Sequence, residues 1–286
     1  MEYNITIRQL LSDLADTLKS VYGEGEASSI ARIVAEDAFH LKGNADREPD
    51  EEEYNRYLGI RHRLLCGEPV QYVLGEADFF GLKFSVSTAT LIPRQETEEL
   101  VAWVLEETAD QKDIHLLDVG LGSGCIAVTI GKKRPYWTIY GMEASPEALA
   151  VAQRNSDALT GGNTHFFQGD ALKKQDWQNL PALDIVISNP PYIPAAERPL
   201  VPDHVVNHEP HLALFVTDED PLIFYREIAD SSIEKLKPGG RLYFECNEFN
   251  AGEVAGMLRS AGFTEVECRK DICGADRMVR ATKTSL

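Results

Sequence analysis

Short apolar segments alternate with helical patterns along most of this chain of 286 residues. Seven of the segments are typical of β-strands: "HLLDVG", "WTIYGME", "THFFQGD", "LDIVISN", "RLYFEC", "FTEVECR" and "RMVRATK". Helical patterns separate the first several of them, and strands joined in this way form a mostly parallel sheet covered on both faces. The last two are separated only by "KDICGADR", which predicts a terminal hairpin. The sequence therefore predicts an α/β fold around a mostly parallel, seven-stranded sheet.

Residues 1–74 have a helical period instead. The segments "TIRQLLSDLADTLKSVY", "EASSIARIVAEDAFHL" and "EEEYNRYLGIRHRLLCG" carry apolar residues at helical spacing. Short amphipathic helices bury their apolar faces against one another, which predicts a small bundle. "ADFFGLKFSVSTATLI" then alternates, which predicts a hairpin turning near Gly81. We therefore divide the chain into a helical domain (1–74), a hairpin linker (75–93) and an α/β domain (94–286).

Charge and cysteine content narrow the classes of function. The formal net charge is −18, whereas nucleic-acid binders usually show a basic face, so the charge disfavours a surface that binds DNA or RNA. It is compatible with a small-molecule substrate or a basic protein partner, and equally with solubility alone. The five cysteines are scattered without a C-x-x-C pair, which favours a reduced, cytoplasmic protein with no cysteine-based metal site. The chain has no long uncharged apolar run and no apolar signal core near its start. We expect a cytoplasmic monomer that neither enters a membrane nor binds nucleic acid directly.

Three histidines in "HVVNHEPH" have the spacing of a metal-binding helix face. They are His204, His208 and His211. Pro210 would break such a helix, and no carboxylate–cysteine set completes a site. We therefore predict a substrate-facing loop here and no metal.

A glycine turn lies between a predicted strand and a predicted helix in "LLDVGLGSGCIAV". Gly120, Gly122 and Gly124 allow positive φ and leave room for a ligand near the backbone. The next strand ends at Glu143, at the distance where nucleotide-binding sheets place an acid for ribose hydroxyls. Asp170 follows the third strand, again at a carboxyl end. Such a turn can also serve tight packing alone, but the acids favour an adenosine-bearing cofactor.

The kind of cofactor follows in part from a missing motif. The sequence has no G-x-x-x-x-G-K-[ST] phosphate loop, as an ATP site would require. S-adenosylmethionine carries no phosphate and suits a glycine turn with a ribose-binding acid. The turn is compatible with this cofactor and does not by itself identify it.

The fourth strand ends in an unusual turn, "SNPPYI". Pro190 and Pro191 fix φ and leave carbonyl groups without neighbouring N–H partners. Asn189 adds a side-chain acceptor, and Tyr192 offers a flat aromatic face. These groups predict a slot for a planar group that carries –NH₂, held so that its nitrogen faces an electrophilic methyl group. A Pro-Pro turn that only ends a buried strand is the alternative reading.

"SNPPYI" together with "DVGLGSG" resembles the class I S-adenosylmethionine-dependent N-methyltransferases, which have a Rossmann-like fold. "GEPVQYVLGEADFFGLKFSV" and "LIPRQETEELV" resemble the hallmark segments of the HemK family, the protein-(glutamine-N5) methyltransferases of peptide chain release factors. "NHEPHLAL", "FYREIADSSIEKLKPGGRLYFE" and "KDICGADRMV" continue the likeness, which covers the chain from about residue 66 onward. It implies methylation of the glutamine in the Gly-Gly-Gln motif of class 1 release factors, with S-adenosylhomocysteine as the product, to tune translation termination.

The resemblance also implies roles for individual residues. The cofactor would contact Gly120, Leu121, Gly122, Ser123, Gly124, Glu143, Asp170, Ala171 and Asn189. Asn189 and the Pro190 carbonyl would hold the glutamine amide beside Pro191, with Tyr192 stacked on it; Asn189, Pro190 and Tyr192 are thus the predicted catalytic residues. Arg94, Glu96 and Thr97 would lie over the pocket with unassigned roles, Arg94 being free to pair with a carboxylate.

The sequence departs from the family pattern in places. Glu143 stands where the family more often has Asp, and Ala171 where an aromatic residue is common. Asn247 and Asn250 stand where the family usually has Gly and Gln. The resemblance therefore implies the chemistry but not the detail of this part of the substrate loop.

Three other functions remain as alternatives. A glutamine methyltransferase of a ribosomal protein shares the chemistry, although "ETEE" favours release factors. An adenine-N6 nucleic-acid methyltransferase shares the Asn-Pro-Pro-Tyr turn but should bring a basic groove. A non-enzymatic scaffold would not need the intact turn and acids.

Overall fold

The computed structural model describes residues 5–41, 45–161 and 163–284. The chain divides into two compact units, Met1–Glu76 and Ala77–Leu286. Residues 1–4, at the start of the segment in which the sequence shows no signal core, lie outside the described part. Among the described residues, each helix is too short or too polar to span a bilayer.

The first unit is a helical bundle. Its helices are α1 (Ile7–Tyr22), α2 (Glu24–Ile33), α3 (Glu51–Leu65) and α4 (Val70–Leu74). Thr6 and Gln9 form a capping box that starts α1, and Asp50 and Glu53 form one that starts α3. The apolar stripe of α1 that the sequence predicted is buried, at Ile7, Leu10, Leu14 and Leu18.

The second predicted helix is not continuous. Helix α2 ends at Ile33, and the chain continues as a π-helical turn, Val34–Ala38. Val34 and Ala38 are both buried, so the wider turn keeps the apolar stripe inside. The short helix α4 was not predicted, because five residues are too few to show a helical period.

The second unit carries the sheet. Its elements in chain order are β1 (Glu76–Phe79), β2 (Leu82–Ser85), α5 (Gln95–Glu107), β3 (His115–Val119), α6 (Cys125–Lys133), β4 (Thr138–Glu143), α7 (Pro146–Leu159), β5 (Thr164–Gln168), β6 (Leu183–Ser188), β7 (Ile193–Pro194), α8 (Asp203–His208), α9 (His211–Leu214), β8 (Phe215–Val216), α10 (Ile223–Lys235), β9 (Leu236–Glu245), α11 (Ala251–Ser260), β10 (Phe263–Lys270) and β11 (Asp276–Lys283). Strands β1 and β2 form the predicted hairpin, with Gly81 at its turn.

The sheet has the order β10-β11-β9-β6-β3-β4-β5. Strand β11 runs antiparallel to both β10 and β9, and the remaining neighbours pair in parallel. The mostly parallel, seven-stranded α/β fold and the terminal hairpin are therefore confirmed. The chain leaves β3 toward one edge of the sheet and returns to β6 on its other side, so β3 and β6 form the topological switch point.

Helices cover both faces of this sheet, as the sequence predicted. Successive residues of β3 belong to different apolar clusters, Leu116 to the one that contains Leu100 of α5 and Leu117 to the one that contains Tyr225 of α10. All four side chains are fully buried. Two continuous apolar layers thus fix the strands, and the polar groups are left at their carboxyl ends.

The segment after β6 was predicted as a loop, and it contains short helices instead. A 3₁₀ turn (Ala195–Leu200) precedes α8 and α9. The two ends of the segment, β7 and β8, pair in parallel. Helix α8 ends at His208, and Pro210 precedes α9, as expected for a residue that cannot continue a helix. Among the described residues, no group of three or more His, Cys, Asp or Glu side chains could hold a metal ion.

Candidate active site

A cavity of about 470 Å³ lies at the carboxyl ends of the central strands. This volume is typical of small-molecule sites, and the topological switch point is where open α/β sheets bind ligands. The sequence-predicted residues Gly120–Ser123, Glu143, Asp170, Ala171 and Asn189–Pro191 all contribute to its wall. Residues that follow four different strands thus meet at one place.

The glycine turn after β3 adopts the backbone that the sequence predicted. The φ angles are 82° at Gly120, 53° at Gly122 and 78° at Gly124. A Cβ atom at Gly120 or Gly122 would meet nothing within 4 Å, so conformation and not crowding requires glycine there. At Gly124 a Cβ atom would also lie 3.2 Å from the Cβ of Ala152, so the turn needs both the conformation and the space.

Glu143, the last residue of β4, holds this turn. Its Oε2 accepts a hydrogen bond from the Gly122 N–H at 2.8 Å, and its Oε1 accepts one from the Ser145 N–H at 2.9 Å. Ser145 in turn caps α7, because its Oγ accepts a hydrogen bond from the Ala148 N–H. Each carboxylate oxygen keeps a further lone pair, so Glu143 can still accept hydrogen bonds from two hydroxyls of a ligand.

The loop after β5 forms another part of the wall. Asp170 Oδ1 accepts a hydrogen bond from the Leu172 N–H at 3.0 Å, and Oδ2 pairs with the Lys173 ammonium at 3.2 Å. The Ala171 carbonyl accepts a hydrogen bond from Trp177 Nε1 at 3.2 Å. The loop is thus fixed by its own contacts, and the small side chain of Ala171 leaves space at the cavity wall.

Asn189 lies at the boundary between this cavity and a smaller one of about 190 Å³. Its Nδ2 donates a hydrogen bond to Thr97 Oγ1 at 3.2 Å. Within the described part of the chain, no group donates a hydrogen bond to Asn189 Oδ1 or to the Pro190 carbonyl. Two acceptors are therefore available to a ligand: one on Asn189, between the cavities, and one on Pro190, in the wall of the larger cavity.

Tyr192 lines the smaller cavity, together with Arg94 and Asn189. Burial raises the pKa of the Tyr192 phenol above its usual range, so the side chain is neutral at physiological pH. It can offer a flat face but not a phenolate base.

The two sides of the larger cavity are held together by Ser188, the last residue of β6. Its buried Oγ donates a hydrogen bond to the Val119 carbonyl at the end of β3, at 2.6 Å. This contact reinforces the parallel pairing of β3 with β6 at the point where the two turns begin.

Glu245 is a site residue that sequence reasoning missed. It ends β9, is 2% exposed, and its Oε2 accepts a hydrogen bond from Thr97 Oγ1 at 2.6 Å. Burial raises its pKa to about 7, against the opposing effects of the Thr97 hydrogen bond and Arg277. The available signal was an acid at the end of an apolar strand, the same signal that pointed to Glu143.

Glu209 was also missed, although the sequence suggested a carboxylate partner for Arg94. Its Oε1 pairs with Arg94 Nη2 at 2.5 Å, and its Oε2 accepts a hydrogen bond from the Ile92 N–H at 3.1 Å. Glu209 is buried, so the pair joins the segment before α5 firmly to the segment after α8.

Two further buried polar residues stabilise the glycine turn. Asn155 of α7 donates hydrogen bonds to the carbonyls of Ser85 and Ser123, which connects the β1–β2 hairpin to the turn. Asp118 Oδ2 accepts a hydrogen bond from the Ala127 N–H at 3.1 Å. Burial raises the pKa of Asp118 to about 8, so it is largely protonated at neutral pH.

Comparison with known proteins identifies the family. Residues 97–210 match the model of the methyltransferase small domain. A release factor glutamine methyltransferase of Flavobacterium psychrophilum is 37% identical over 96% of this chain and 98% of its own length. One of Bacteroides thetaiotaomicron is 42% identical over 78% of this chain and 79% of its own.

A solved structure supports the same fold. A methyltransferase from Pyrococcus furiosus superposes with a TM-score of 0.53 at 16% identity, covering 78% of this chain and 98% of its own. At that identity the likeness shows the class I methyltransferase fold alone. The resemblance inferred from the motifs is therefore confirmed, and the chain belongs to the release factor glutamine methyltransferase family of class I methyltransferases.

Proposed function

We propose that this protein transfers a methyl group from S-adenosylmethionine to the N5 amide nitrogen of the glutamine in the Gly-Gly-Gln motif of class 1 peptide chain release factors. The observation that carries the proposal is the pair of available acceptors, Asn189 Oδ1 and the Pro190 carbonyl, of which Asn189 lines both cavities and Pro190 lines the larger one. A carboxamide –NH₂ has two donors and therefore matches two acceptors.

The larger cavity fits the proposed cofactor. The glycine turn brings backbone rather than side chains to the wall, and Glu143 keeps lone pairs for the ribose hydroxyls. Asp170 and Ala171 would flank the adenine. The cofactor, S-adenosylmethionine, supplies an electrophilic methyl group on its sulfonium sulfur and leaves as S-adenosylhomocysteine.

The residues of the Asn-Pro-Pro-Tyr turn, between the two cavities, would hold the glutamine. Asn189 Oδ1 and the Pro190 carbonyl accept the two amide N–H groups, and Tyr192 stacks on the plane of the amide. The lone pair of an amide nitrogen is delocalised, so its orientation toward the methyl group is the main contribution the protein can make. A neutral Tyr192 agrees with this scheme, in which no strong base acts before transfer and the methylated nitrogen afterwards loses one proton to water.

Recognition of the release factor is proposed for the helical N-terminal domain. The net charge of −18 favours a basic partner surface and disfavours a nucleic acid. We place the protein in the cytoplasm, as a monomer.

The test is methyl transfer from labelled S-adenosylmethionine to three acceptors. They are a class 1 release factor, the same factor with the Gly-Gly-Gln glutamine changed to Ala, and adenine-containing DNA. Label on the intact factor alone is the expected result. Label on both factors would contradict the proposed residue, and label on DNA alone would favour the adenine-N6 alternative.

A further inference from the structure

One hydrogen-bonded chain determines which way the carboxamide of Asn189 faces. It runs from Asn189 Nδ2 to Thr97 Oγ1 at 3.2 Å, and from Thr97 Oγ1 to Glu245 Oε2 at 2.6 Å. We propose that Thr97 and Glu245 are positioning residues for methyl transfer, which hold the oxygen of Asn189 toward the substrate amide. For the identity of the substrate, this inference rests on the proposed function.

The direction of the chain follows from counting protons. A threonine hydroxyl has one proton, and an ionised carboxylate can only accept hydrogen bonds. Thr97 must therefore donate its proton to Glu245, and its oxygen can only accept from Asn189. The –NH₂ of Asn189 is committed to Thr97, so its Oδ1 is left on the other side of the carboxamide.

The direction matters because the two ends of a carboxamide have opposite hydrogen-bonding character. With Oδ1 toward the substrate, Asn189 accepts a hydrogen bond from the glutamine –NH₂. With the carboxamide reversed, two –NH₂ groups would face each other, and neither could accept. The Pro190 carbonyl alone would then hold the substrate nitrogen, with one contact fewer to fix its direction.

The residues of this hydrogen-bonded chain lie on rigid elements. Thr97 is 3% exposed in the first turn of α5, and Glu245 is the last residue of β9. The main-chain carbonyl of Glu245 accepts a hydrogen bond from the Tyr225 hydroxyl at 3.1 Å. Positions on helices and strands hold a geometry more closely than positions on loops, as an orienting contact requires.

The charge of Glu245 controls the direction of the hydrogen bonds from Glu245 through Thr97 to Asn189. A protonated Glu245 can donate to Thr97, which then donates to Asn189 and reverses the carboxamide. The titratable groups that interact with Glu245 are Arg94, Glu96, Cys125, Tyr192, Tyr225, Cys246 and Arg277. Glu209 pairs with Arg94, and Asp271 pairs with Arg277. Burial raises the pKa of Glu245 to about 7, more than the Thr97 hydrogen bond and Arg277 lower it. The productive arrangement should therefore be lost as the pH falls below this value.

The first test compares three variants of the full chain: Thr97→Val, Thr97→Ser and Thr108→Val. Valine keeps the shape but removes the hydroxyl, and we expect kcat to fall by about 10- to 100-fold while the affinity for S-adenosylhomocysteine stays within about twofold. Serine keeps the hydroxyl and should retain most of the activity. Thr108 is equally buried at the other end of α5, and its hydroxyl bonds to the Val104 carbonyl, so Thr108→Val should leave kcat unchanged.

The pH dependence of kcat distinguishes a positioning role from a merely structural one. The kcat of the wild type should fall on the acid side with a midpoint near the pKa of Glu245. Glu245→Gln should remove this limb, because a glutamine does not ionise and its Oε1 can still accept the Thr97 proton.

A measurement without substrate separates this inference from the proposed function. The side-chain –NH₂ signal of Asn189 in a ¹⁵N–¹H spectrum, assigned by its loss in Asn189→Ala, should shift in Thr97→Val and stay in place in Thr97→Ser. If the wild type transfers no methyl label to a release factor, the proposed function fails. The Asn189 signal still tests whether Thr97 orients the Asn189 carboxamide. An unshifted signal, an unchanged kcat, or a cofactor affinity lost together with kcat in Thr97→Val would overturn the inference.

Discussion

The proposed active site has two parts that are assembled in different ways: a cofactor half, formed by the glycine turn and Glu143, and a substrate half, formed by Asn189 with Thr97 and Glu245. In the cofactor half, the hydrogen bonds of Glu143 join it to residues 21 and 2 positions away in sequence. In the substrate half, the hydrogen bonds of Thr97 reach residues 92 and 148 positions away. The first half is built within one strand–helix–strand unit, β3–α6–β4, and the second forms only when the sheet order brings distant strands together.

This difference explains which residues the sequence could reveal. A glycine turn and an acid at the end of the next strand are a local pattern with a fixed spacing, so Gly122 and Glu143 could be predicted. The partners of Asn189 have no fixed spacing. Their meeting depends on β9 lying beside β6 and on α5 packing over the sheet.

Loss of the Asn189 carboxamide should have the largest effect. Asn189→Ala removes an acceptor that acts on the reacting nitrogen, so we expect kcat to fall by about 10²- to 10³-fold in labelled methyl transfer. Asn179→Ala, on the exposed surface, is the matched control. A loss of less than about threefold would show that the substrate half does not orient the amide.

Glu143→Gln should damage the cofactor half alone. We expect the affinity for S-adenosylhomocysteine, measured by calorimetry, to weaken by about 10- to 100-fold, because a charged acceptor of hydrogen bonds is lost. The kcat at saturating cofactor should change little, and Glu253→Gln on the exposed face of α11 should change neither quantity. A lower kcat with unchanged affinity for S-adenosylhomocysteine would contradict the assignment of Glu143 to cofactor binding alone.

Two glycines of the same turn should differ in stability when changed to alanine. Gly124→Ala adds a crowded Cβ atom to a positive-φ position, whereas Gly122→Ala adds one in open space. We expect urea denaturation to show a loss of about 2–4 kcal/mol for the first and about 1–2 kcal/mol for the second. Equal losses would mean that conformation alone fixes the turn.

Tyr192→Phe should have the smallest effect. The phenol is neutral and its proposed contribution is the flat ring, so kcat should stay within about threefold of the wild type. Tyr192→Ala removes the ring and should lower kcat clearly more. A large loss in the phenylalanine variant, measured in the same transfer assay, would mean that the hydroxyl takes part in the reaction.

Secondary structure was predictable wherever the period was long enough. All seven sheet strands occur near the predicted segments, because buried apolar runs with turn residues at their ends are a local signal. Strand β9 begins at Leu236, earlier than predicted, since it continues through Pro238 and Gly239. Proline and glycine usually mark the end of a strand, so the sequence placed the start of β9 after them. The pairing of β6 with β9 is irregular there, and the strand continues through both residues.

Buried polar contacts could not be predicted in the same way. Glu209 lies in a segment with no strand or long helix, and only the folded chain shows that its carboxylate holds Arg94 and the Ile92 N–H. Thr97 was placed over the pocket by resemblance, but the role proposed for it depends on Glu245 and Asn189, which are distant in sequence.

The most direct measurement is a crystal structure of the protein with S-adenosylhomocysteine and a release factor. We predict that the ribose lies on Glu143, that Asn189 Nδ2 stays on Thr97, and that Asn189 Oδ1 and the Pro190 carbonyl accept hydrogen bonds from the glutamine amide, whose nitrogen faces the sulfur. A glutamine amide held away from Asn189, or a cofactor bound outside the glycine turn, would contradict the account.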